Sequence, residues 1–316
     1  MNVIWVSFHS IIGIMRLIMF ELGGIEMINL LFSLNENYIY PLKVLIQSLV
    51  ENHPNDSFRM YLLHAGISDT ALTELRHYVE RDGRNELIAI CSTNYFKSSD
   101  EIVITRYYAL EMYLWMFAPY ILPDDVDRVL YLDPDIVAIN DIKPFYHKSF
   151  EGNSFIATNY KYKTKWIQPF NNLRLRNFES DDYFNSGVVL MNLKRLRSVG
   201  NADRIVDAIR ENKSVLILPD QDIFNLVYVN DIKEEDWRIY NMNPRVYEKL
   251  KVLFPHKYSL KAIDKNVVFI HYSGKHKPWN DREKYKYTLG SYYFNYERKA
   301  YNLISERPLF NKGSRA

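Results

Sequence analysis

The sequence predicts an α/β fold built on a mostly parallel, Rossmann-like sheet. Two observations carry that expectation. Up to Asp135, apolar runs of strand length alternate with helical apolar stripes, the rhythm of strand–helix–strand units. One such run, Val129-Leu130-Tyr131-Leu132, ends in paired carboxylates, Asp133 and Asp135. Ligands of such folds sit just beyond the carboxyl ends of strands.

The elements follow in order. INLLFSL, 28–34, reads as a buried strand. Pro41 suits the first turn of the next helix, whose stripe is Leu42, Leu45, Ile46 and Leu49. Phe58 to His64 reads as a strand, and Ser68 as the cap of a helix striped by Leu72, Leu75 and Val79. Glu86 to Cys91 is a third strand. Leu110, Tyr113, Leu114 and Phe117 predict an amphipathic helix, and Val126 to Leu132 the strand entering Asp133. Beyond Asp135 the rhythm changes. Ser154 to Thr158 and Gly187 to Leu193 read as strands; Ala202, Ile205, Val206 and Ile209 mark a helix; and Val267 to Ile270 is a last strand.

Composition bounds the rest. The chain has 316 residues, of which 47% are apolar, so a sizeable core can form. A net charge of +2 argues against nucleic acid as a partner. The single cysteine, Cys91, rules out a disulfide framework within the chain and fits a reducing compartment, hence a cytoplasmic location. Three segments are expected. Residues 1–26 form an apolar N-terminal extension, interrupted by His9 and Arg16, that makes a poor secretory signal and an expensive membrane span. An upstream extension or a misplaced start explains it better than an anchor. Residues 27–280 form the catalytic domain. Residues 281–316 form a basic, aromatic appendage with Lys284, Tyr285, Lys286, Tyr287, Tyr292, Tyr293 and Tyr296. Two readings stand for it: peripheral contact with the inner face of an anionic membrane, or tyrosines packed back on the domain.

The chemistry starts from Asp133 and Asp135. In an extended chain residues two apart project to one side, so two oxygen ligands leave the strand together, with Pro134 between them. Hard divalent cations favour such oxygens. Asp-Pro-Asp is equally ordinary turn chemistry, so the metal reading needs a partner. His271, directly after the strand Val267 to Ile270, supplies an imidazole. Gly274 would let backbone approach a phosphate and Lys277 would add a point charge. Elsewhere, Asn185-Ser186-Gly187 reads as a polar turn before an apolar strand. Asp220, Gln221 and Asp222 open a helix, either as acids favouring its dipole or as groups beside a bound sugar.

Together these motifs resemble glycosyltransferase family 8, a retaining group. NENY, LYLDPDIV, YFNSGVVLMNL, LPDQDIFN and HYSGKHKPW appear in the family's order. The resemblance implies the GT-A fold, Mn2+ or Mg2+, a UDP-hexose donor, and a glycan, lipid-linked or protein hydroxyl as acceptor. It makes Asp133, Asp135 and His271 metal ligands. Ser33, Asn35 and Asn37 would lie near the uridine, and Gly274 and Lys277 on the diphosphate. Asn185, Asp220 and Gln221 would face the donor sugar and acceptor, with the variable stretch from Asn159 to Ser180 contacting the acceptor. One departure stands out: where relatives carry a donor-contacting arginine before the metal motif, this chain has Trp115 or Met116, and Arg106 lies upstream. Two alternatives follow, a weakened UDP-sugar-binding protein and a priming enzyme that glycosylates its own tyrosine.

Overall fold

A computed structural model describes residues 27–92, 111–159, 182–200 and 202–302. The first strands and helices fall where the apolar pattern puts them. β1 (Met27–Ser33) leads through α1 (Ile39–Asn52) to β2 (Ser57–His64), then through α2 (Asp69–Val79) to β3 (Glu86–Cys91). The α1 stripe of Leu42, Leu45, Ile46 and Leu49 is fully buried. Each such side chain contributes roughly 1.5–3 kcal/mol by leaving water. Ser68 caps α2 by accepting the Ala71 N–H at 3.3 Å.

β4 (Arg128–Leu132) enters the aspartates, followed by β5 (Ile136–Ala138), β6 (Phe155–Asn159) and β7 (Phe184–Asn192). Then come α3 (Leu193–Val199), α4 (Ala202–Asn212), α5 (Pro219–Tyr228), β8 (Ile232–Glu235), α6 (Pro244–Leu253), α7 (Leu260–Asn266), β9 (Phe269–His271) and α8 (Gly290–Asn302). The main sheet has seven strands in the order β3-β2-β1-β4-β7-β6-β8. β7 alone runs against its neighbours; the other pairings are parallel. β5 and β9 form a separate antiparallel pair that lays His271 opposite Ile136.

Three expectations change. The Leu110–Phe117 stripe does not form one amphipathic helix. Its described part breaks into a helical turn, a 3₁₀ turn (Trp115–Phe117) and a second helical turn. Every residue from Tyr113 to Ala118 is buried, so no solvent face exists. The Asn185-Ser186-Gly187 segment lies inside β7, not in a turn before it. The β6–β7 register jumps there, from Ala157 opposite Val189 to Thr158 opposite Asn185, and the extra residues bulge. Finally, β8, α6 and α7 occupy a region where the sequence reading names no element. β8 is a short edge strand of sequence IKEE, and α6 starts on an Asn243 cap rather than on a strong apolar stripe.

The segment after Asp281 is folded onto the domain up to Asn302. Tyr293 and Tyr296 are buried in a cluster with Tyr247, Tyr272 and Ile270. α8 lies against α1, where the Tyr40 and Tyr301 rings stack at 4.4 Å and Asn52 donates to the Tyr296 hydroxyl at 2.8 Å. These tyrosines therefore face protein. Among the described residues no helix is long and apolar enough to cross a membrane. Residues 1–26 and Arg106 lie outside the described residues, as does nearly all of the 159–180 stretch.

Candidate active site

Two sheets aim the predicted ligands at one point. β4 delivers Asp133 and Asp135 at its carboxyl end. The β5–β9 pair then folds His271 back onto them, fixed by the Tyr272 N–H donating to the Asp135 carbonyl at 2.9 Å. The imidazole Nε2 lies 3.2 Å from Asp135 Oδ1 and 3.7 Å from Asp133 Oδ2. The ligand atoms of all three residues fall within 4.8 Å of one another. Asp135 and His271 are buried, and Asp133 is partly so.

The histidine's tautomer follows from its neighbour. Asn241 donates its amide to Thr158 Oγ1 at 2.9 Å and to Asn185 Oδ1 at 2.7 Å. Its Oδ1 is thereby left to accept from His271 Nδ1 at 2.9 Å. That assignment, inferred from the network, turns Nε2 toward the carboxylates. Three ligand atoms then converge where only a positive charge relieves their repulsion. This is a fitting donor set for a divalent ion of the manganese or magnesium type, with the histidine oriented from behind.

Charge around the pair is uneven. Burial pushes the Asp133 carboxyl up, and the neighbouring Asp135 adds to that. Burial would raise Asp135 too, but the Lys277 ammonium and His271 hold it well below the usual carboxylate range. Lys277 pairs directly with Asp135 and donates to the Tyr272 carbonyl at 3.2 Å. The Tyr131 hydroxyl donates to Asp133 Oδ1 at 2.7 Å.

The β7 bulge brings the third group. A Cβ at Gly187 would sit 2.4 Å from His271 Cε1 and 2.7 Å from Asp133 Oδ2, so only glycine lets the ligands close. Asn185 donates to Gln221 Oε1 at 2.9 Å, and Ser186 donates to Asp220 Oδ2 at 2.9 Å. Burial and the charge of Asp133 push Asp220 up to about 7. Asp222 is different: it accepts the N–H groups of Ile217 and Leu218 and the Tyr183 hydroxyl, holding the loop before α5.

The residues expected near the uridine follow the carboxyl end of β1, which runs parallel to β4. Ser33 donates its hydroxyl to the Glu111 carbonyl, and Asn35 uses its side chain to accept the Asn37 N–H at 3.1 Å. Gly274 has φ of 100°, which suits glycine. Trp115 stacks on Tyr131 at 4.8 Å, edge-on to Phe224, and Met116 is buried beside it. The sequence reading names neither Asn241 nor Arg245. Asn241 sits outside any local motif, and only the chain's return to β9 makes it a ligand-orienting residue.

A mostly parallel sheet with this carboxylate–imidazole centre at the carboxyl end of its middle strand has the GT-A architecture. The chain belongs to glycosyl transferase family 8, which it matches over residues 29–283. It is 24% identical over 262 residues to a lipopolysaccharide 1,2-glucosyltransferase of Escherichia coli K12, spanning 81% of this chain and 73% of that one. It is 20% identical over 259 residues to a lipopolysaccharide 1,3-galactosyltransferase of Salmonella typhimurium, spanning 80% and 73%. A crystal structure of the galactosyltransferase LgtC with donor and acceptor sugar analogues superimposes with a TM-score of 0.68 at 21% identity, covering 86% of this chain and 96% of that one.

Proposed function

We propose that this chain transfers a hexose, glucose or galactose, from its UDP conjugate to a hydroxyl acceptor, with the anomeric configuration retained. The observation that carries the reading is the convergence of Asp133, Asp135 and His271 within 4.8 Å at the carboxyl end of the middle strand of a mostly parallel sheet. Those three residues would hold Mn2+ or Mg2+. A bound ion of that kind would neutralise charge growing on the departing diphosphate. Lys277 shares that task, and Gly274 keeps the backbone low enough for phosphate to approach. Ser33, Asn35 and Asn37, at the end of β1, lie on the uridine side.

Asn185, Asp220 and Gln221 line the sugar side. Gln221 is held by Asn185, and an amide is a poor nucleophile. Asp220 accepts a hydrogen bond from Ser186, which holds that oxygen away from attack. Front-face displacement follows. The bond from the anomeric carbon to the diphosphate oxygen breaks, the acceptor oxygen bonds to that carbon from the same face, and the acceptor's proton passes to the departing oxygen. Asn185 and Gln221 would orient the ring as positive charge develops on it. The lipopolysaccharide hexosyltransferases among its relatives support a surface-glycan acceptor and a cytoplasmic location.

The test is UDP release from UDP-glucose and UDP-galactose, with and without Mn2+, followed by NMR of the product. Metal-dependent release and an α-linked product are expected. A β-linked product would sink retention, and a trapped glycosyl-enzyme would sink the front-face route. Failure to release UDP from either donor would sink hexosyl transfer.

A further inference from the structure

We infer that Arg245 is a second diphosphate-binding cation, working with Lys277 to hold the donor. This rests on the reading that a UDP-sugar binds at this site. Arg245 opens α6, its N–H donating to Asn243 Oδ1 at 3.0 Å. Asn243 is in turn tied to the metal-side loop: its amide donates to Ser273 Oγ at 2.8 Å and to the His271 carbonyl at 3.4 Å. The start of α6 is thus fixed to the strand end that carries His271.

From that anchor the side chain reaches over Gly274. A Cβ on Gly274 would lie 2.6 Å from one guanidinium nitrogen and 3.2 Å from Cζ. Glycine suits that position for its φ of 100°, and the guanidinium lies directly over it. Other arginines of the fold have clear partners: Arg59 pairs with Glu86 at 3.0 Å, Arg238 with Asp236 at 2.7 Å, and Arg197 donates to a set of carbonyls. Arg245 has an exposed side chain, and its guanidinium has no ion pair or hydrogen bond among the described residues. A guanidinium laid on a glycine backbone, three residues past the metal-side histidine and with no carboxylate partner among the described residues, presents its fork to an incoming anion.

The chemistry fits phosphate. A planar guanidinium can grip two phosphate oxygens at once, where an ammonium acts as a point charge. Lys277 is engaged by Asp135, so its charge is shared between the carboxylate and any phosphate. Arg245 has no such competitor among the described residues.

The experiment is calorimetry of UDP and of UMP in Mn2+ on the full chain. Arg245→Ala should weaken UDP roughly ten- to a hundred-fold, the range for a lost charge-assisted hydrogen bond. UMP should lose less, and the unliganded melting temperature should hold. Arg245→Lys should recover only part of the affinity. Unchanged UDP affinity in Arg245→Ala overturns the inference while leaving the donor reading intact. Equal losses for UDP and UMP together with a lowered melting temperature mean a structural role and also overturn it. A native chain that binds no UDP in Mn2+ overturns both readings.

Discussion

Two clusters in this molecule have the same composition, one histidine and two aspartates, yet only one is poised to hold a metal. Asp133, Asp135 and His271 meet at the carboxyl end of β4; His53, Asp56 and Asp141 meet at the end of α1, their ligand atoms also within 4.8 Å of one another. The difference lies in how their lone pairs are spent. His53 donates Nδ1 to the Leu49 carbonyl at 2.7 Å and accepts the Ile142 N–H on Nε2 at 2.9 Å. Asp56 is paired with Lys143 at 3.0 Å, and Asp141 accepts the Lys143 N–H at 2.9 Å while half-exposed. That cluster is a splice between α1 and the loop after β5. At the end of β4, Asn241 occupies the far nitrogen of His271 and leaves the near one aimed at the carboxylates. Both clusters hold carboxylates with partners of their own; the histidine nitrogen left facing the carboxylates sets the first apart.

The largest effect should come from Asp135→Asn. Losing an anionic ligand next to the imidazole should weaken Mn2+ by more than about a hundred-fold, as read by the EPR signal of free Mn2+. Asp141→Asn should leave Mn2+ affinity unchanged; an equal loss in both variants would erase the distinction. Gly187→Ala comes next. Its methyl group collides with His271 and Asp133, so Mn2+ affinity should fall by roughly ten-fold or more although no ligand is altered. Asn241→Ala frees the imidazole to rotate and should cost about ten- to a hundred-fold in Mn2+ affinity, the usual range for such supporting groups. At the other cluster, His53→Ala should leave Mn2+ binding alone. By removing two buried hydrogen bonds and packing, it should lower stability by roughly 2–4 kcal/mol in a denaturant titration.

The smallest effect is a pH dependence of the metal-free chain. Folded Asp220 holds its proton up to about pH 7, whereas an unfolded aspartate releases it near pH 4. Between those values the folded state binds more protons, so stability falls as pH rises through the window and levels off above it. Asp220→Asn should flatten that slope. An unchanged slope would mean that burial and Asp133 do not raise this carboxyl.

Much of the site was legible because its ligands end strands. The apolar runs before Asp133 and before His271 mark both positions, and the spacing of Asp133 and Asp135 puts them together. What the pattern could not show is pairing at long range. Nothing local in Asn241, Arg245 or Gly187 announces a role. Asn241 matters because it meets His271, Arg245 because α6 is tied to the loop at Ser273, and Gly187 because a bulge presses it between two ligands. The buried helical segment at Tyr113–Ala118 misled for a related reason: its apolar spacing looks one-sided, but its surroundings are apolar on every side. The tyrosines of α8 show the reverse ambiguity, since composition alone suited a membrane surface and the fold uses Tyr293 and Tyr296 as core.

The most direct measurement is the melting temperature of the native chain and of His271→Ala, each with UDP in Mn2+ and with UDP in EDTA. A ligand that binds only the folded state stabilises it by mass action, about 2.7 kcal/mol at a hundred times its Kd. A rise of a few degrees is expected for the native chain with UDP and Mn2+ together, and none in EDTA or in the variant. An equal rise in EDTA, or a full rise in His271→Ala, would contradict a metal site at His271.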